Sequence, residues 1–84
     1  MFQVYAIYSS KFDEIYIGYS TNAEKRLASH NHERNKSYTK RYQPWEMVFT
    51  EEFETRSEAM KREKELKTAK GREYVWKKVR EKFG

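Results

Sequence analysis

The sequence predicts an α+β domain with the element order β-β-α-β-α-α. Two β-rich runs, FQVYAIYS (2–9) and IYIGYS (15–20), are separated only by the turn-like SKFDE (10–14). A third, WEMVFTEEF (45–53), follows Pro44. The remaining stretches carry capping residues at their starts and apolar residues at helical spacing.

In residues 2–9, Phe2, Val4, Ala6 and Tyr8 fall on one face and Tyr5 and Ile7 on the other. Apolar character on both faces marks a central strand covered on both sides. The short loop then makes 15–20 the return strand of a hairpin. TNAEKRLASHN (21–31) reads as a helix, with Ser20, Thr21 or Asn22 as N-cap and Glu24 in its first turn. Residues 32–44 form a polar, basic connection. In the third strand Trp45, Met47 and Phe49 are expected on one face. Residues 55–70 form a helix capped by Thr55 or Ser57 and stopped near Gly71. Residues 72–83 form an amphipathic helix whose apolar side is Val75, Trp76, Val79 and Phe83. With no repeat, low-complexity run or linker, residues 1–84 are expected to form a single domain.

A chain of 84 residues buries only about 60 % of the surface it exposes when unfolded, so its core is thin. At 17 % aromatic residues, large rings can build that core efficiently. There is no cysteine, which excludes disulfides and thiolate zinc sites. No run approaches the roughly 20 apolar residues of a membrane span, and residues 1–9 do not read as a signal peptide. A soluble, cytoplasmic protein is expected. The net charge of +5 is segregated: residues 25–41 hold six basic residues against one acid, and residues 61–84 hold ten against four. Such clustering attracts polyanions, although a solvated lysine-rich surface would look the same.

One carboxylate stands out. On the helix over 55–70 the apolar positions are Ala59, Met60 and Leu66, and Glu63 falls in the same inward stripe. It must be paired, hydrated in a cleft, or bound to a cation. An edge-of-core salt bridge, with Arg26 for instance, satisfies the pattern. The pattern alone favours that salt bridge; the alternative is a metal site, and an all-oxygen site with one carboxylate and several waters suits Mg²⁺ or Mn²⁺. Arg26 and His30 lie one turn apart on the flank of the first helix, where they could clamp a phosphate or merely face solvent. Tyr8 and Tyr16 are core aromatics by default. Taken together, these residues describe a phosphodiester cleft.

The stretch IYIGYSTNAEKRLASHN (15–31) resembles the GIY-YIG nuclease superfamily, named for two strand motifs separated by a hairpin. The second motif is intact as Tyr16-Ile17-Gly18. Ala6-Ile7-Tyr8 resembles the first, with alanine for glycine. KRLASHN matches the family's helical arginine and the histidine one turn later. AMKREKELK matches the segment where the family places a metal-binding glutamate four residues before a lysine, which selects Glu63 and Lys67. SYTKRYQPWEMVFTEEF resembles the approach to the third strand in small, single-domain members.

The resemblance implies a three-stranded antiparallel sheet flanked by helices and a metal-dependent DNA endonuclease, with relatives in excision repair and structure-specific cleavage. It implies one divalent cation, Mg²⁺ or Mn²⁺, held by Glu63. Tyr16 would be general base or water-orienting group, supported by Tyr8. Arg26 would stabilise charge on the phosphate, and His30 would position a tyrosine, a water or the phosphate. Tyr19 stands where some members carry a lysine. Arg34, Lys36, Tyr38, Lys40 and Arg41 of the basic connection, with Lys67, are the expected nucleic-acid contacts. The alternatives are a nucleic-acid-binding module without efficient catalysis, or an adaptor that docks a partner protein on Val75, Trp76, Val79 and Phe83. A partner protein could also supply targeting to the nuclease.

Overall fold

A computed structural model describes residues 1–84. The elements are β1 (Phe2–Ser9), β2 (Glu14–Ser20), α1 (Ala23–Asn31), a short 3-10 helix (Tyr38–Tyr42), β3 (Glu46–Phe53), α2 (Arg56–Leu66) and α3 (Ala69–Phe83). The three strands form one antiparallel sheet in the order β2-β1-β3, so β1 is central, as its two apolar faces require. β2 is an edge strand, and its free edge matters for the site.

Two cores sandwich the sheet. Val4, Ala6, Ile15 and Ile17 pack with Val48 under Ala59 and Leu66 of α2 and Val75 and Val79 of α3. On the opposite face Tyr5, Ile7, Ala23 and Trp45 form a second cluster, joined by Tyr16, Leu27 and Met47. Trp76 and Phe83 are half-buried against the first core. Trp76 meets the Tyr8 ring edge-on at 5.9 Å, and Phe83 lies 5.2 Å from it. Much of the apolar side of α3 is therefore used within the fold, with Val75 and Val79 buried and Trp76 and Phe83 half-buried.

Three expectations change. Phe49 does not share a face with Met47, because a β-bulge interrupts the β1–β3 register between Ala6 and Ile7. Ala6 pairs with Phe49 and Ile7 with Met47, leaving Val48 as the extra residue and reversing the alternation beyond it. Trp45 and Met47 thus pack beside Tyr5, while Val48 and Phe49 pack beside Val4. Secondly, the second helix stops at Leu66 rather than near Gly71. Thr68 opens α3 by accepting a hydrogen bond from Gly71 N at 3.1 Å. Gly71 lies in the first turn of that new helix, at a position where any Cβ would strike the backbone of Glu65 and Leu66. Thirdly, the basic connection contains an ordered 3-10 helix, anchored where Trp45 Nε1 donates to Thr39 O at 2.8 Å.

Local chemistry sets the helix starts. Asn22 caps α1 by accepting from Lys25 N, and Gln3 Oε1 reaches across from β1 to accept from Ala23 N at 2.7 Å. At the other end of α1, Asn31 donates to Trp45 O and accepts from Trp45 N, tying the helix to the start of β3. Thr55 and Glu58 form a reciprocal capping box on α2. The bidentate ion pair of Arg62 with Glu51 of β3, at 2.7 and 3.2 Å, fixes how α2 is rotated. Glu63, one residue on and about 100° further round the helix, then turns towards the β2 side.

Candidate active site

A cleft of about 470 Å³ is lined by residues of β1, β2, α1 and α2. Tyr5, Tyr16 and Gly18 contribute from one face of the hairpin, and Phe2 and Tyr19 from the other. Arg26 comes from α1 and Glu63 and Arg56 from α2. Those helices pack against opposite faces of the sheet, so the cleft wraps the free edge of β2. The edge strand is thus the meeting place for an α1 cation and an α2 carboxylate that no single face could bring together.

The structure unites Tyr16, Arg26 and Glu63, but it places Tyr8 elsewhere. Tyr8 pairs with Ile15 and lies on the face that carries α2 and α3. Its hydroxyl donates to Asp13 Oδ1 at 2.9 Å, and that bond to a carboxylate pushes the phenol pKa up. The tyrosine in the cleft is Tyr5, directly opposite Gly18 in the β1–β2 register. The first motif therefore falls on Gln3-Val4-Tyr5, with Gln3 at the glycine position. The methyl of Ala6 is buried in the α2 and α3 core and does not enter the cleft.

Gly18 explains how a large phenol fits there. A Cβ at this position would lie 2.7 Å from the Tyr5 hydroxyl oxygen and 2.9 Å from Cζ. The bare glycine lets the ring lie across the strand. The hydroxyl then reaches His30 Nε2 at 2.9 Å, while His30 Nδ1 lies 2.9 Å from Thr39 Oγ1 of the 3-10 helix. His30 is buried behind Tyr5 rather than presented to the cleft, and its ring sits 4.8 Å from that of Tyr16. Burial pushes the His30 pKa down, and the Arg26 guanidinium adds to this, so the imidazole is neutral near pH 7. Burial pushes the Tyr5 pKa up, with Arg26 beside it pulling the other way.

Glu63 is half-buried and its Oε1 lies 3.7 Å from Lys67 Nζ, one turn on. Its ion-pair partner is Lys67 and not Arg26. No group of three His, Cys, Asp or Glu residues converges anywhere in the chain. A lone carboxylate facing an open polar cleft fits a hard cation that keeps most of its waters, and does not fit zinc. Tyr19, at the lysine position of some relatives, accepts a hydrogen bond from Arg56 Nε at 3.2 Å. Arg56 thereby brings to the cleft the positive charge that position 19 lacks.

The expected nucleic-acid contacts at 34–41 lie outside the lining of this cleft, on the exposed connection between α1 and β3. Arg34, Lys36, Tyr38, Lys40 and Arg41 are all exposed, and Lys40 Nζ donates to Glu33 O. Tyr38 is 54 % exposed and 5.0 Å from Tyr42, leaving a ring available for stacking. On the α2 side, Arg56, Lys61 and Lys64 line a second groove that shares Arg56 with the cleft.

Tyr5 and Arg56 were not singled out by the sequence alone. Tyr5 was nevertheless detectable, because an aromatic paired across a tight hairpin with a glycine is the ring that can cover it. The hairpin register separates Tyr8 from Tyr16, since Tyr8 is paired with Ile15 and faces with Val4. Arg56 carried no such signal, as nothing local links it to Tyr19.

Comparison with known proteins agrees with this architecture. A family model described as the GIY-YIG catalytic domain matches residues 1–82. A UPF0213 protein of Staphylococcus haemolyticus is 45 % identical over 62 residues, which is 74 % of this chain and 76 % of that one. A UPF0213 protein of Natronomonas pharaonis is 43 % identical over 56 residues, covering 67 % of this chain and 66 % of its own length. No solved structure matches. No helix is long and apolar enough to cross a membrane. With the family model spanning nearly the whole chain and the Tyr-Ile-Gly motif opening onto a cleft with an arginine and a glutamate, the chain belongs to the GIY-YIG nuclease superfamily.

Proposed function

We propose that the protein is an endonuclease that hydrolyses DNA phosphodiester bonds with one divalent cation, Mg²⁺ or Mn²⁺, held at Glu63. The observation that carries this reading is the convergence of Tyr5, Tyr16, Arg26 and Glu63 on one cleft from four separate elements. When bound, such a cation supplies Lewis-acid stabilisation of charge on the phosphate oxygens.

The chain's own groups then divide the work. A phosphate seated in the cleft presents its non-bridging oxygens to Arg26, whose fixed charge favours the transition state over the ground state. Arg56 and Lys67 hold the flanking backbone. Tyr16 orients the attacking water. Tyr5, with its pKa raised, keeps its proton near neutral pH and is not present as a free tyrosinate, but it has an acceptor behind it. As the water oxygen attacks phosphorus, its proton passes to the Tyr5 oxygen while the Tyr5 proton passes to His30 Nε2. Imidazolium results, the phosphorus–oxygen bond to the leaving group breaks, and solvent protonates the departing alkoxide. The basic connection carrying Arg34, Lys36, Lys40 and Arg41 binds the backbone independently of sequence, with Tyr38 stacking on an exposed base.

A cleavage screen tests this reading: branched, nicked, single-stranded and duplex DNA, with RNA alongside, each with Mg²⁺ and Mn²⁺. Divalent-dependent cleavage of at least one DNA is expected. Glu63→Gln should keep the fold and DNA binding while losing both cleavage and calorimetric Mn²⁺ binding. Unchanged Mn²⁺ binding in Glu63→Gln refutes the metal assignment, and cleavage of RNA alone refutes the substrate.

A further inference from the structure

We propose that Asn35, Ser37 and Thr39 act as a proton lock that holds neutral His30 as its Nδ1–H tautomer, aiming the bare Nε2 lone pair at Tyr5. The inference rests on the proposed Tyr5–His30 proton path and adds positioning residues that the motif comparison does not select. None of the three faces the cleft.

The lock follows from counting protons around one buried hydroxyl. Asn35 Oδ1 accepts from the backbone N–H of Ser37 at 2.8 Å, which identifies that end of the amide as the oxygen. The other end, Nδ2, donates to His30 O at 2.9 Å and to Thr39 Oγ1 at 2.8 Å. Ser37 Oγ lies 2.7 Å from Asn35 Oδ1, an atom that can only accept, so the single Ser37 hydroxyl proton is committed there. Ser37 Oγ is also 2.8 Å from Thr39 Oγ1, and with its own proton committed it can only accept in that contact. Thr39 therefore gives its proton to Ser37. Its two lone pairs remain, one receiving Asn35 Nδ2–H and the other facing His30 Nδ1 at 2.9 Å. Only a protonated Nδ1 completes this pattern, and Thr39 then has all of its hydrogen-bonding capacity in use.

The direction of proton transfer depends on that choice. With Nδ1 protonated, a neutral His30 carries its lone pair on Nε2, 2.9 Å from the Tyr5 oxygen, and Tyr5 donates to it. In the other tautomer Nε2–H would donate to Tyr5, and the phenol could not pass a proton that way. Thr39 is 1 % exposed, and its carbonyl is fixed by Trp45 Nε1 at 2.8 Å, so the hydroxyl is held in place by the fold and not by solvent.

Nitrogen NMR of ¹⁵N-histidine-labelled protein at a pH where His30 is neutral reads the tautomer without reference to cleavage. The expected wild-type spectrum shows a protonated Nδ1 and a bare Nε2 for His30. Ser37→Ala, at an exposed position that leaves the core untouched, frees the Thr39 proton to point at Nδ1 and should shift the population to Nε2–H. Thr39→Val should shift it likewise, whereas Thr39→Ser should restore the wild-type form. Single-turnover cleavage should fall and recover in the same order, with substrate affinity unchanged. A wild-type Nε2–H tautomer, or a Ser37→Ala spectrum still showing Nδ1–H, overturns the lock. If the tautomer shifts as expected but cleavage stays at the wild-type rate, the lock stands and the Tyr5–His30 proton path is refuted.

Discussion

Replacing Gly18 with alanine probes the strand register on which the cleft is built. The backbone at Gly18 has an ordinary strand conformation, so the added methyl carries no strain of its own. Intrinsic preference favours the change by about 0.5–1 kcal/mol, because glycine weakens a strand interior relative to alanine. Packing opposes it. The new Cβ would sit 2.7 Å from the Tyr5 hydroxyl oxygen, 2.9 Å from Cζ and 3.2 Å from Cε1. A flexible exposed ring would swing aside, but Tyr5 is 1 % exposed and has His30 against its hydroxyl. Overpacking of this kind costs about 1–3 kcal/mol, which exceeds the propensity gain. The net loss should be on the order of 1 kcal/mol, or about 4–8 °C in Tm for a chain of this size. Thermal unfolding followed by circular dichroism gives the first number. The Tyr5→Phe background gives the second, since removing the nearest clashing atom should reduce the penalty of Gly18→Ala, with a coupling of about 0.5 kcal/mol or more. A variant that gains stability, as an unobstructed strand glycine would, refutes the placement of Tyr5 over Gly18.

Other outcomes follow from the same geometry. Arg26→Ala should lower the single-turnover rate by on the order of 100- to 1000-fold, as for loss of one oxyanion donor, with little change in affinity. A lower Tm with wild-type cleavage would instead make Arg26 structural. Replacing Lys36, Lys40 and Arg41 together should weaken DNA binding and reduce the salt slope by about 2–3, given about 0.9 per phosphate contact. An unchanged slope would move the interface to the Arg56, Lys61 and Lys64 groove. Because burial, aided by Arg26, depresses the folded-state pKa of His30, the unfolded chain binds its proton first, near the ordinary value of about 6.5. The stability this group provides is full above that pH and is lost as pH falls through the lower folded pKa. Tm should therefore fall on acidification below about pH 6.5 more steeply in wild type than in His30→Gln.

The fold was legible because its signals are local. Alternation in residues 2–9 announces a strand buried on both faces, and Thr55 or Ser57 marks the start of α2, where Thr55 is the cap. Glu63 was legible from helical periodicity alone, and the family resemblance selected the same residue. The site's first tyrosine is ambiguous in the sequence because Ala6-Ile7-Tyr8 and Gln3-Val4-Tyr5 both end in tyrosine, and only pairing decides between them. Tyr5 opposite Gly18 and Tyr8 opposite Ile15 settle that choice through the hairpin register. Simple alternation puts Phe49 on the wrong face because a bulge depends on tertiary packing and leaves no local mark. Arg56 and Thr39 were invisible for a similar reason, since each acts through a residue distant in sequence, Tyr19 in one case and His30 in the other.

If the cleft is built on Tyr5, the Tyr8 hydroxyl plays no part in cleavage. Single-turnover cleavage by Tyr5→Phe and Tyr8→Phe, measured side by side with Mn²⁺ and the substrate that wild type cuts, tests it most directly. Each change deletes one hydroxyl: the first breaks the contact with His30 Nε2 and the second the bond to Asp13. Tyr5→Phe should lose nearly all cleavage while staying folded, with stability lowered by about 1–3 kcal/mol because His30 Nε2 is left without its buried partner, and Tyr8→Phe should cleave at the wild-type rate. Loss of activity in Tyr8→Phe with Tyr5→Phe still active would contradict it.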